Sequence, residues 1–109
     1  MSTQRGITAY GLSLPYYRLK RKTILEAMGW FNPGLAALKD GEKTVANHDE
    51  DSLTLAVAAG KGCMRSIQGS DVGSLFLAST TLPFIERNNA GIAAAALNLS
   101  PRIKVAELG

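Results

Sequence analysis

At 109 residues the chain is one domain's length or part of a larger one, and its 46% hydrophobic and 19% charged residues are those of an ordinary globular protein. The net charge of +3 is mild, and the basic residues cluster only at Arg18, Lys20, Arg21 and Lys22, with no aromatic platform beyond Tyr16 and Tyr17. That pattern fits a solvated helix start and argues against a nucleic-acid partner.

Cys63 is the single cysteine, so an internal disulfide and a cysteine-based metal site are both excluded. No run of about 18 apolar residues is present to cross a membrane. The N-terminal MSTQRGITAYG lacks the basic-then-apolar order of a secretory leader, so a cytoplasmic setting is expected.

In chain order, Gly6 to Leu14 alternates loosely and holds β-branched and aromatic residues, which predicts a strand. Gly11 inside it suggests a bulge or a close backbone approach. Leu19 to Met28 carries Ile24, Leu25 and Met28 at helical spacing, with Thr23 near the start and Gly29 as the stop. Trp30 to Gly41 reads as loop, with FNPG and Lys39-Asp40-Gly41 as turns and a single helical turn over Leu35 to Leu38. Glu42 to Asn47 is either extended or irregular.

Leu53 to Ile67 is a long helical pattern. Leu53, Val57, Met64 and Ile67 line one face; Ala56, Ala59 and Cys63 form a narrow second face that permits close packing. His48-Asp49-Glu50-Asp51-Ser52 precedes it, and carboxylates there serve capping and the helix dipole better than a metal. Gly69 to Gly73 turns into a buried apolar strand, Leu75 to Ala78, followed by the polar turn Ser79-Thr80-Thr81. An Ala-rich helix from Arg87 to Leu97, apolar nearly all round, is expected to be buried. Asn98-Leu99-Ser100-Pro101 ends it, and Ile103 to Leu108 is a last strand.

The resulting order β, α, α, β, α, β is an α/β layered arrangement with a βαβ crossover near the end. In such proteins, ligands and chemistry sit in the loop at the carboxyl end of a strand, which here is Ser79 to Phe84. A buried strand beside so apolar a helix leads us to expect a piece of something longer.

Most single motifs are better read structurally. Ala59-Gly60-Lys61-Gly62 lacks the first glycine of a phosphate loop, and Gly62 stands where Ser or Thr should hold magnesium. Cys63 sits among small apolar residues with no paired histidine, as a packed thiol does. His48 is read as serving the helix start, and Asn98-Leu99-Ser100 carries no meaning as a glycosylation signal in a cytoplasmic protein.

Three strings remain. The first is Gly6-Ile7-Thr8-Ala9-Tyr10-Gly11, with Leu14-Pro15 and Tyr17-Arg18-Leu19. The second is Gly41-Glu42-Lys43, Val45-Ala46-Asn47 and Asp49 through Val57. The third is Ala78-Ser79-Thr80-Thr81, Pro83-Phe84 and Glu86-Arg87. In this order and spacing they resemble the N-terminal part of the 3-hydroxy-3-methylglutaryl-CoA synthase and ketoacyl synthase III group, in the thiolase-like superfamily. The resemblance runs over essentially the whole chain.

It implies a partial thiolase-like fold, with residues 1–109 as the N-terminal part of one layered α/β half, a mixed sheet with covering helices, and the second half absent. Relatives of this kind condense acyl-thioesters of CoA or acyl carrier protein through an acyl-cysteine, use no separate cofactor and usually form homodimers. A thiolate takes the acyl group while backbone N–H groups stabilise the tetrahedral oxyanion. The resemblance puts the nucleophilic cysteine just after Gly109 and the catalytic histidine in the second half, so no catalytic residue is expected among these 109, and Cys63 does not fit the role.

Thr80, Thr81 and Glu86 would border the active site. Thr80 stands where hydroxymethylglutaryl-type synthases place a catalytic glutamate, and the nearest acid, Glu86, lies six residues later. That departure favours a ketoacyl-synthase-like member; Glu86 with Arg87 otherwise reads as first-turn charge on the following helix. Lys43 lines up with a basic residue that touches the CoA nucleotide, although a solvated loop lysine is an equal reading. The rival functions are a non-catalytic thiolase-fold scaffold for a partner acyltransferase and an unrelated small α/β binding domain.

Overall fold

The computed structural model describes residues 4–109. Residues 1–3, part of the stretch read above for a leader, lie outside the described residues. The chain divides into two compact units, Leu14–Glu50 and a second made from the N-terminal segment up to Ser13 together with Asp51–Gly109.

The Leu14–Glu50 unit is a β-hairpin with a helix and a 3-10 turn in its connection. Strand β1, Tyr17–Lys20, runs antiparallel to β2, Glu42–Val45, pairing Tyr17 with Val45 and Lys20 with Glu42. β2 is the segment whose sequence left extended and irregular readings open. Helix α1, Arg21–Met28, follows β1 without a break. The expected helix began at Leu19, but the backbone groups of Leu19 and Lys20 are committed to β2, and a residue paired in a ladder cannot also begin an α-helix. Arg21 N donates to Gly41 O at 3.0 Å and closes the hairpin, with Gly41 at φ +84°, a conformation that favours glycine. The N-cap residue of α1, Lys20, makes no side-chain capping bond; the hairpin sets the helix start, with Thr23 in its first turn. Gly29 ends it as expected, its N–H donating to Leu25 O at 2.7 Å. The single turn expected at Leu35 to Leu38 is a longer 3-10 helix, Pro33–Leu38, begun by Asn32 Oδ1 accepting from Gly34 N at 3.1 Å with Pro33 at the first position.

In the second unit, helix α2, Ser52–Cys63, starts at a full capping box. Asp51 Oδ1 accepts from Thr54 N at 2.8 Å, and Thr54 Oγ1 accepts from Asp51 N at 2.8 Å. The acidic cluster therefore contributes one cap, Asp51. In the Leu14–Glu50 unit, His48 lies exposed in the turn whose Asn47 N donates to Glu50 Oε1 at 3.0 Å. α2 tightens to 3-10 geometry over Met64–Ser66, so the pattern read to Ile67 ends as α-helix at Cys63.

No ladder forms over Gly6 to Leu14. These residues find no hydrogen-bonding neighbour strand among the described residues, and alternation alone does not make a strand. What the stretch does is approach α2: a Cβ on Gly11 would overlap Ala59 O and come within 2.5 Å of Cys63 N, against the narrow small-residue face read above.

Strand β3, Ser74–Ala78, pairs in parallel with β4, Lys104–Leu108, from Ser74 opposite Lys104 to Ala78 opposite Leu108. Helix α3, Asn89–Ala96, is the crossover between them. The core of this unit is Leu53 of α2, Ala90, Ala93 and Ala94 of α3, and Leu99. α3 meets α2 where Gly60 leaves room for Leu97, whose Cδ1 lies 2.9 Å from a Cβ built on that glycine. The end of α3 is a Schellman motif: Leu99 N donates to Ala94 O at 3.0 Å and Asn98 N to Ala95 O at 3.1 Å, with Asn98 at φ 56°.

Two burial expectations change here. β3 is not wholly buried: Leu75 and Leu77 turn inward while Phe76 stays 65% exposed, since a two-stranded sheet covered by one helix has a bare second face. α3 is not buried all round: Ala95 and Ala96 are exposed.

Candidate functional site

The loop between β3 and α3, residues 79–88, sits at the carboxyl end of the parallel pair, where the sequence located a site. Its first half is tied down by hydrogen bonds. Ser79 N continues the ladder to Leu108 O at 2.9 Å, Thr81 N donates to Ser79 Oγ at 3.1 Å, and Ser52 Oγ at the start of α2 donates to Thr81 O at 2.6 Å. Thr80 and Thr81 are both exposed at this turn. Such hydroxyls can donate or accept one hydrogen bond to a ligand but supply no carboxylate.

Glu86 is exposed with Pro83, Phe84, Ile85 and Arg87 along the second half of the loop, where the Arg87 guanidinium lies 5.7 Å from the Phe84 ring centre. The first-turn reading of Glu86 and Arg87 fails, because α3 begins two residues after Arg87 with Asn88 as its N-cap, Oδ1 accepting from Gly91 N at 3.1 Å. The negative charge at this helix start comes from β4: Glu107 Oε1 accepts from Ala90 N at 2.8 Å. Beside it, Asn89 is fully buried and holds the main chain of Phe84 from both sides, accepting from its N at 3.2 Å and donating to its O at 2.9 Å.

Neither Asn89 nor Glu107 was singled out from the sequence. Asn88-Asn89 before an Ala-rich run does signal a helix start; that Glu107 reaches it could not be read, because the partners are 17 residues apart in sequence.

Within the Leu14–Glu50 unit, Lys43 lines a cavity of about 270 Å³ together with Arg21, Ile24, Leu35 and Leu38. Two cations beside apolar side chains suit an anion carrying a flat or apolar group. Lys43 itself is exposed on β2, opposite Leu19. Arg21 was read only as part of a basic cluster; its place in the lining of this cavity follows from β1 running straight into α1. Cys63 is half-buried at the end of α2. Among the described residues no three His, Cys, Asp or Glu side chains gather to hold a metal ion, and no helix is long and apolar enough to cross a membrane.

No family model matches the chain. It is 38% identical over 109 aligned positions to the hydroxymethylglutaryl-CoA synthase of Methanococcus vannielii, an alignment taking in 94% of this chain and 30% of that one. The corresponding enzyme of Methanopyrus kandleri is 32% identical over 97% of this chain and 31% of its own. The chain thus spans about three tenths of the length of the curated relatives it matches. Among solved structures, MvaS in complex with 3-hydroxy-3-methylglutaryl coenzyme A superposes with a TM-score of 0.80 at 20% identity, over 98% of this chain and 26% of that one. Cerulenin-bound OleA of Xanthomonas campestris gives a TM-score of 0.79 at 16% identity, over 97% and 36%. The chain is thus similar in sequence to the hydroxymethylglutaryl-CoA synthases over nearly all of its own length and carries part of the thiolase-like fold.

Proposed function

We propose that residues 1–109 are the N-terminal part of a thiolase-like domain in an acyl-thioester condensing enzyme, hydroxymethylglutaryl-CoA synthase-like or ketoacyl synthase III-like. Sequence similarity to the hydroxymethylglutaryl-CoA synthases over nearly the whole chain carries this reading. In it the substrate is a thioester of CoA or acyl carrier protein, the setting is cytoplasmic, the whole protein is a homodimer, and no cofactor beyond the substrate is used. Acyl transfer runs through a cysteine thiolate outside these residues, while Thr80, Thr81 and Glu86 border the acyl site on the loop after β3. Thr80 can orient a thioester but cannot exchange a proton with it as a carboxylate would, which leaves Glu86 as the acid nearest in sequence.

Lys43 and Arg21 hold the CoA phosphates at the cavity they line, with the apolar Ile24, Leu35 and Leu38 beside them for the base. Lys43→Glu then weakens CoA binding about tenfold or more, measured by calorimetry, since it replaces an attraction to phosphate with a repulsion. Unchanged affinity removes Lys43 from the site.

The enzymatic reading is tested by incubating the protein expressed from its complete coding frame with acetyl-CoA and mapping added acetyl mass. Acetyl on a cysteine other than Cys63 is expected. Acetyl on Cys63 overturns the assignment of the nucleophile, and no acetyl at all turns the reading to a thiolase-fold scaffold for a partner acyltransferase.

A further inference from the structure

We propose that Asn89 and Glu107 form a latch that fixes the β3–α3 loop, which makes Asn89 a positioning residue for the acyl-thioester site; this rests on the reading of that loop given above. Asn89 is 0% exposed, next to an equally buried Ala90. Packing alone would be served there by an apolar side chain, because a buried carboxamide costs free energy unless every polar atom is met. Here every one is met. Oδ1 takes the N–H of Phe84 at 3.2 Å, and Nδ2 gives to Phe84 O at 2.9 Å, with longer contacts to Arg87 O at 3.4 Å and Glu107 Oε2 at 3.5 Å. The carboxamide thus acts toward residue 84 as a neighbouring strand would, pairing both its backbone groups.

Glu107 supplies the other half. Its Oε1 takes Ala90 N, one of the free N–H groups of the first turn of α3, while Oε2 faces the Asn89 amide. Glu107 stands opposite Leu77 in the β3–β4 ladder, so the latch ties the loop to the sheet as well as to the helix. Apart from Asn89, the second half of the loop is held by little: Ile85 is 99% exposed, and Pro83, Glu86 and Arg87 are exposed too. One buried side chain therefore pins the Phe84 backbone, two residues before Glu86.

Amide hydrogen exchange on the full chain tests this without any need for turnover. Asn89→Leu keeps the volume and removes the hydrogen bonds; the Phe84 amide should exchange about ten- to hundredfold faster, while Leu77 in the β3 ladder is unchanged. Asn89→Asp keeps the acceptor for Phe84 N but sets a second carboxylate against Glu107, and should also speed exchange at Phe84. Adding Glu107→Gln gives the aspartate a donor, and most of that increase should be recovered, a coupling that simple loss of packing does not produce. Equal acceleration at Phe84 and Leu77, unaltered exchange at Phe84, or no recovery in the double variant overturns the latch. If the exchange results hold and no acylation is found anywhere in the protein, the latch stands and the enzymatic reading falls.

Discussion

A single added methyl group distinguishes two glycines near the N-terminus. On Gly11 it would meet Ala59 O and Cys63 N, backbone atoms of α2 that cannot rotate away, whereas on Gly6 nothing lies within 4 Å. Gly11→Ala should therefore lower stability by about 1–3 kcal/mol, the usual cost of overpacking, and Gly6→Ala should stay within about 0.5 kcal/mol of the parent. Urea unfolding of the two variants side by side checks this, and equal midpoints would remove the close approach. The special place of Gly11 was legible, since glycine in an extended run signals a bulge or a near backbone. The strand around it was not. Alternation reports a chain with two unlike faces, and whether a neighbour supplies the ladder is a property of residues elsewhere. Lys43 shows the same boundary from the functional side: the family resemblance aligned it with a residue that touches the CoA nucleotide, but that Arg21 lines the same cavity emerged only once β1 and β2 paired.

At the scale of elements, local chemistry was readable and non-local chemistry was not. The start of α2 is entirely local: Asp51 and Thr54 satisfy each other's backbone N–H groups within one turn. Asp51→Ala should cost about 1 kcal/mol. Thr54→Ala removes the reciprocal bond, and because both bonds belong to one box the double variant should cost less than the sum of the singles. Thermal melts of the four proteins make that cycle, and strict additivity would mean that the box does not act as a unit. The start of α3 looks similar in sequence but is built otherwise. Asn88 caps it locally, yet its negative charge arrives from Glu107 on the neighbouring strand rather than from Glu86 just before the helix. Glu86 was consequently assigned to a turn it does not enter. The same division explains β2, undecidable in isolation because Glu42 to Val45 has neither a clean alternation nor a helical period and is held extended by its pairing with β1.

For the molecule as a whole, the question is what the bare apolar side chains are for. Ile7 is 90% exposed, Phe76 65% and Ile85 99%, while the fold these residues share with MvaS and OleA occupies 26% and 36% of those chains. Scattered exposed apolar residues are ordinary, but Phe76 stands on the uncovered face of a parallel sheet, and parallel sheets are normally covered on both faces. If residues 1–109 are one part of a larger thiolase-like domain, that face is internal in the larger protein. The 109-residue chain should then bind the dye ANS with strong fluorescence, and the protein from the complete coding frame should not. Phe76→Lys isolates the sheet face: it should remove much of the dye signal while changing the stability of the 109-residue chain by no more than about 0.5 kcal/mol, as surface substitutions do. Leu75→Lys, on the inward face toward α3, should instead cost several times as much, since it buries a charge with no partner. In the larger protein the first substitution should become as damaging as the second, because a lysine at Phe76 would then be buried too. If it stays harmless there, the outer face of β3 is solvent surface in both, and the place of this chain inside a larger layered domain is refuted.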